Sequence, residues 1–155
     1  MEKIFFNDLY LCFSKLIKRY GFKKGDEFNG QDDYSITYCS DTFCVQIEQY
    51  RRDLSLIVFH PRYPHRGIAL FNLLDYLKHE MGKRLELNSF DYSHDSIDNK
   101  DELKKYYKKQ INYMGNLLYK NFDYINGFFK IENLEDHFQN IRDFVIKNNP
   151  NLFKK

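Results

Sequence analysis

The residues best equipped for chemistry lie in one run, Val58-Phe59-His60-Pro61-Arg62-Tyr63-Pro64-His65-Arg66-Gly67, which holds two histidines, two arginines and two of the chain's three prolines. Imidazoles exchange protons near neutral pH and guanidiniums hold anions. His60 and His65 beside an arginine are therefore the right types to cleave a phosphodiester, one histidine accepting a proton, the other donating one, and the arginine steadying the charge. That chemistry describes a small metal-independent phosphodiesterase or RNase-like enzyme. The same residues are ordinary where a strand hands over to a helix, because prolines end strands and solvated Arg and His suit a loop held on a rigid scaffold. No catalytic residue is assigned on this second reading, and His60, Arg62, Tyr63, His65 and Arg66 stand as partner-binding candidates. A tight turn here would also admit a cis Tyr63–Pro64 bond, the isomer of ~5–6% of X–Pro bonds.

A second constellation is acidic. Asp91, Asp95, Asp98, Asp101 and Glu102 form the densest acidic run of the chain, the kind of patch that mimics phosphates when a protein blocks a nuclease. Asp91, His94, Asp95 and Asp98 would share one face of a helix and are metal-ligand types. Acids just before a helix start, however, cap it and suit its dipole, so neither a metal nor a cofactor is expected. Lys104-Lys105-Tyr106-Tyr107-Lys108-Lys109 interleaves cations with rings, as single-strand binders do. On an amphipathic helix Tyr107 would turn inward and the lysines would stay solvated, so nucleic-acid binding is not favoured. No GxSxG, P-loop, dinucleotide fingerprint, HExxH or paired CxxC occurs. Cys12 falls on an apolar stripe, and His79 and His137 lie beside apolar helix positions, all three read as structural.

The 155 residues fit one domain, 1–155, able to bury ~70% of its unfolded surface. Fifteen Phe and thirteen Tyr without Trp point to a core of rings. A formal charge of +2 and a pI near 8.3 fall short of a domain built around a nucleic-acid backbone. Three cysteines without metal-ligand spacing predict reduced thiols in a cytoplasmic protein. Charges at Asp8, Lys15, Lys18 and Arg19 interrupt the N-terminal apolar residues, so the chain reads as soluble and intracellular, with no membrane span.

The elements follow from periodicity. Phe5, Leu9, Cys12, Phe13, Leu16, Ile17 and Tyr20 recur at helical spacing over about residues 3–20, with Gly21 as the left-handed stop. A polar loop through Gly25 and Gly30 precedes three β-rich runs, 34–39, 43–50 and 54–60. These make an antiparallel meander in which Tyr38 faces Val45, Ile36 faces Ile47, and Val45, Ile47 and Gln49 face Val58, Leu56 and Leu54. The other face carries Cys39, Cys44, Ile57 and Phe59, too apolar for free solvation, so the C-terminal helix or another protein should cover it. Cys39 and Cys44 sit opposite each other as small apolar residues.

Further on, Ile68 to Met81 form a second helix closed by Gly82, and Asn99 caps a long helix running to Gly127. Gly115 in that long helix marks a close crossing or a kink. Asn133 caps a fourth helix bearing Leu134, Phe138, Ile141 and Val145. The predicted class is α+β, a three-stranded antiparallel meander flanked by helices, in the order α-β-β-β-α-α-α.

A helix ending Tyr20-Gly21-Phe22, a strand meander and the short helix Leu70-Phe71-Asn72-Leu73-Leu74-Asp75-Tyr76-Leu77 together resemble the small α+β immunity proteins encoded beside bacterial contact-dependent inhibition and other polymorphic toxins. The resemblance spans about the first eighty residues and rests on layout. It implies a non-catalytic protein that binds and neutralises one cognate toxin domain, and it carries no catalytic residue over. Abundant Tyr and Arg, which anchor interfaces, agree with that. Oligomeric state is left open.

Overall fold

The computed structural model describes residues 6–51, 53–85, 87 and 98–150. Chain order is α1 (Phe6–Lys18), β1 (Lys23–Asn29), β2 (Asp33–Cys39), β3 (Cys44–Tyr50), β4 (Asp53–Phe59), β5 (Ile68–Ala69), α2 (Leu70–His79), α3 (Lys100–Lys120), α4 (Phe122–Phe128) and α5 (Leu134–Asn148). The class is α+β, but the sheet is larger than the expected meander. Five strands pair antiparallel in sequence order.

The three central strands take the register that their side-chain pattern dictates. Ile36 pairs with Ile47, Tyr38 with Val45, Val45 with Val58, and Ile47 with Leu56. A slip of one residue would turn every one of these side chains to the other face. Together with Tyr34, Leu54 and Ile68 they line the core side, buried in one cluster with Leu9, Phe13 and Leu16 of α1, the apolar stripes of α2 and α3, and the Phe residues of α4.

β1 corrects the expected polar loop. Its sequence, KKGDEFN, has no apolar alternation and is exposed along its whole length. Backbone pairing with β2 holds it, helped by a Lys24–Glu27 ion pair of 2.7 Å and by the Tyr34 hydroxyl, which donates to Glu27 Oε1 at 3.1 Å. It forms one edge of the sheet, where charged side chains deter pairing with other chains. At the opposite edge Ile68 and Ala69 pair with Val58 and Ile57. The second helix therefore starts at Leu70 rather than Ile68.

Helix stops follow the glycines. Gly21 and Gly82 have φ of 71° and 65°, and the Phe22 and Lys83 amides donate back to the Leu16 and Leu77 carbonyls, the closing bond of a Schellman end. The predicted single helix through Gly127 is instead two. Buried Asn121 leaves the helical backbone and donates through Nδ2 to the Leu117 carbonyl at 2.9 Å. The break turns Phe122 into a ring cluster, stacked on Tyr20 at 3.7 Å and 5.5 Å from Phe43 between ring centroids, with Phe43 stacked on Phe129 at 5.4 Å.

On the face carrying Cys39, Cys44, Ile57 and Phe59, Cys44 is buried and Ile57 and Phe59 are half-buried; among the described residues α5 packs chiefly on α2. Cys39 and Cys44 are joined as a disulfide, which corrects the expectation of reduced thiols. Ser40 donates its amide to the Phe43 carbonyl at 3.0 Å, so the neighbouring Cys39–Cys44 position is a non-hydrogen-bonded pair, where side chains approach most closely. Their Cα atoms are 4.1 Å apart.

Candidate functional site

The segment from His60 to Gly67 leaves the end of β4 and reaches β5 through two consecutive turns. The Tyr63 amide donates to the His60 carbonyl at 2.8 Å and the Arg66 amide to the Tyr63 carbonyl at 3.0 Å. Pro61 and Pro64 each occupy the second position of a turn, where a fixed φ is already suited. All peptide bonds of the described residues are trans, Tyr63–Pro64 included. Gly67 ends the loop where the backbone runs close over β4. A β-carbon there would meet Ile57 Cγ2 at 2.8 Å.

Tyr63 pins the loop to the helices. Its ring stands edge-on to Phe138 of α5 at 5.6 Å and tilted against the His60 ring at 5.6 Å, geometries that suit the ring quadrupole. His60 Nδ1 accepts the Arg62 amide at 3.0 Å. Burial holds the His60 imidazole below its ordinary value, and the neighbouring Arg62 charge adds to this. Arg62, His65 and Arg66 project as exposed side chains.

The two histidines do not converge. His60 lines a polar depression of about 350 Å³ with Asp41, Arg62, Tyr63, Lys130 and Glu132. His65 lines a different, largely apolar groove of about 270 Å³ with Arg66, Ile68, Phe138, Ile141 and Arg142. A proton relay across one scissile bond requires both imidazoles on the same substrate. The loop places them on separate concavities.

The described part of the acidic constellation stands apart from the loop. Asp91, His94 and Asp95 lie outside the described residues. Asp98, Asp101 and Glu102 are exposed at the start of α3, where Asn99 Oδ1 accepts the Asp101 and Glu102 amides at 2.8 and 3.2 Å. Acids in a first helical turn complement its dipole, which accounts for them locally. From there α3 passes Gln110 beside Leu54, at the start of β4, and leads to Phe122 next to Phe43, at the other end of the sheet. Asp98, Asp101 and Glu102 and the His60–Arg66 loop thus sit at opposite ends of the sheet and do not form one patch. Among the described residues no group of three or more His, Cys, Asp or Glu could hold a metal ion, and no helix is long and apolar enough to cross a membrane.

No protein-family model, curated protein or solved structure matches this chain. Its function must be argued from the geometry.

Several residues that border the loop were not legible as site residues. Phe138, Ile141 and Arg142 come from α5, and Asp41, Lys130 and Glu132 from distant segments. Their periodicity marks Phe138 and Ile141 as inward-facing, but periodicity does not say which wall they complete. Cys12, Tyr107 and His137 are structural: Cys12 Sγ donates to the Ile111 carbonyl at 3.3 Å, Tyr107 is buried, and His137 Nδ1 bonds the Tyr76 hydroxyl at 2.9 Å.

Proposed function

We propose that this chain is a non-catalytic binding protein, of the immunity type, that holds and neutralises a cognate bacterial toxin domain. The supporting observation is the construction of the His60–Arg66 loop. Two hydrogen-bonded turns and the Tyr63–Phe138 contact pre-order it, while Arg62, His65 and Arg66 remain exposed. A loop already ordered loses little conformational entropy on docking, and arginines are frequent interface anchors. The rival reading, a phosphodiesterase using His60 and His65, needs both imidazoles on one substrate, and their placement on two concavities gives it less support.

The toxin identity comes from resemblance in layout, and a cytoplasmic site of action rests on that reading alone. The Cys39–Cys44 disulfide withdraws the argument from reduced thiols.

The test is co-expression in a bacterial host with the C-terminal domain encoded by the upstream neighbouring gene. Growth rescued by the natural chain and lost with Arg62→Glu plus Arg66→Glu supports the proposal. No rescue, or equal rescue by His60→Ala plus His65→Ala and by the arginine double variant, counts against the loop as the neutralising surface. Hydrolysis of a model phosphodiester that disappears in the double-histidine variant would overturn the non-catalytic reading.

A further inference from the structure

The groove beside the loop has a lining that specifies its occupant more closely than the loop does. Ile68 of β5 and Phe138, Ile141, Val145 and Ile146 of α5 supply its apolar lining, while His65, Arg66 and Arg142 stand around them. Among the described residues no carboxylate lines the groove, although α5 carries Glu135, Asp136 and Asp143 elsewhere. Asp143 lines the other side of α5, with Tyr76, Glu80 and Lys147. The acids of this helix are thus kept off the wall that bears Arg142.

We propose that this groove docks an extended acidic segment of a protein partner, with one apolar side chain against Phe138, Ile141 and Val145 and flanking carboxylates against Arg66 and Arg142. Three observations favour that occupant. The cations have no opposing acid among the described residues of the groove, so an anionic partner is complementary. The volume of about 270 Å³ lies below the ~300–1,000 Å³ of pockets that enclose a small ligand, and suits a side chain or two of a larger molecule. Finally, β5 is the terminal strand of the sheet and Gly67, Ile68 and Ala69 border the groove, so an extended backbone laid there meets a strand edge, as in strand addition.

The proposal rests on reading the chain as a toxin-binding protein and names the chemistry of the toxin segment that it grips. The test is selection of a displayed library of random twelve-residue peptides on the full chain, followed by titration of one synthesised winner. The expected winners place Asp or Glu around Leu, Ile or Phe. Their affinity should fall at least tenfold for Arg66→Glu and for Arg142→Glu, each checked for folding by circular dichroism, and should weaken with added salt.

Basic or featureless winners, no winners, or affinities within twofold of the natural chain in both arginine variants would overturn the proposal. So would competition by decanoate at concentrations below those of the peptide, which would assign the groove to a small amphiphile. Concentration-dependent dimerisation abolished by Arg142→Glu would assign it to a second copy of this chain. Growth rescue run in parallel separates the two readings. Rescue by the natural chain and equally by Arg142→Glu sinks the groove alone, whereas acidic winners without any rescue sink the toxin reading alone.

Discussion

Cys12 lies directly beneath Gly115, so close that a β-carbon built on the glycine would come within 2.5 Å of the cysteine Sγ. The contact is where α1 crosses α3, and the Tyr119 hydroxyl, one turn on, donates to the Cys12 carbonyl at 2.9 Å. Gly115 costs helix propensity of about 1 kcal/mol against Ala. Close packing of the two helices outweighs it. Gly115→Ala is expected to destabilise by about 1–3 kcal/mol through overpacking. Adding Cys12→Ala should recover part of that loss, giving a non-additive pair in urea denaturation. A Gly115→Ala variant as stable as the natural chain would refute the crossing.

The Cys39–Cys44 bond spans a sequence separation of 5, so it closes a very short loop. Chain entropy then assigns it about 2 kcal/mol of stabilisation, less than a long-loop bridge would provide. Reduction with dithiothreitol should lower the urea midpoint by a corresponding amount, yet leave the hairpin register intact, because six further residue pairs join β2 to β3. A Cys39→Ser, Cys44→Ser variant should match the reduced protein. An unchanged midpoint would show the bond to be energetically neutral.

His60 makes stability depend on pH with a definite sign. Its imidazole is held below the ordinary value of 6.5 by burial and by Arg62, and protonation of Nδ1 would also break its bond to the Arg62 amide. As pH falls from about 6.5 towards the lower native value, the unfolded chain binds a proton that the folded chain does not. Stability therefore declines through that window and the loss is complete below it. His60→Gln should flatten this part of the pH profile in urea titrations at pH 7.5 and 5, and NMR should show His60 titrating below 6.5. A native value above it would invert the prediction.

Tyr63 is the pin of the loop. Tyr63→Ala should cost about 1–3 kcal/mol by deleting a half-buried ring, whereas Tyr63→Phe keeps the edge contact to Phe138 and should be nearly neutral. Thermal denaturation and amide exchange of Arg62, Tyr63, His65 and Arg66 would read both effects. Equal exchange in the Ala variant would mean that the turns alone order the loop.

Much of this architecture is written in the chain's periodicity, and the failures have identifiable causes. Register in the central sheet was legible because Ile36, Ile47 and Leu56 admit one pairing that keeps apolar residues on one side. β1 was not, because an exposed edge strand has no buried face to impose alternation. The split at Asn121 was hidden by Leu118, Phe122 and Ile125, which continue the helical stripe across the break. That Cys39 and Cys44 oppose each other was readable, but whether two adjacent thiols are joined is not a matter of pattern. His60 and His65 share a loop in the sequence, and only the packing of α5 and of residues 129–134 around that loop shows it facing two concavities.

The rings of Phe22, Phe43, Phe122 and Phe129 close the same end of the sheet from which the His60–Arg66 loop departs. Local opening is rarest where buried apolar contact is densest. The loop is therefore mounted on a densely packed end of the sheet. A binder so arranged would associate nearly as a rigid body, its grip set by the lifetime of the complex rather than by refolding on contact.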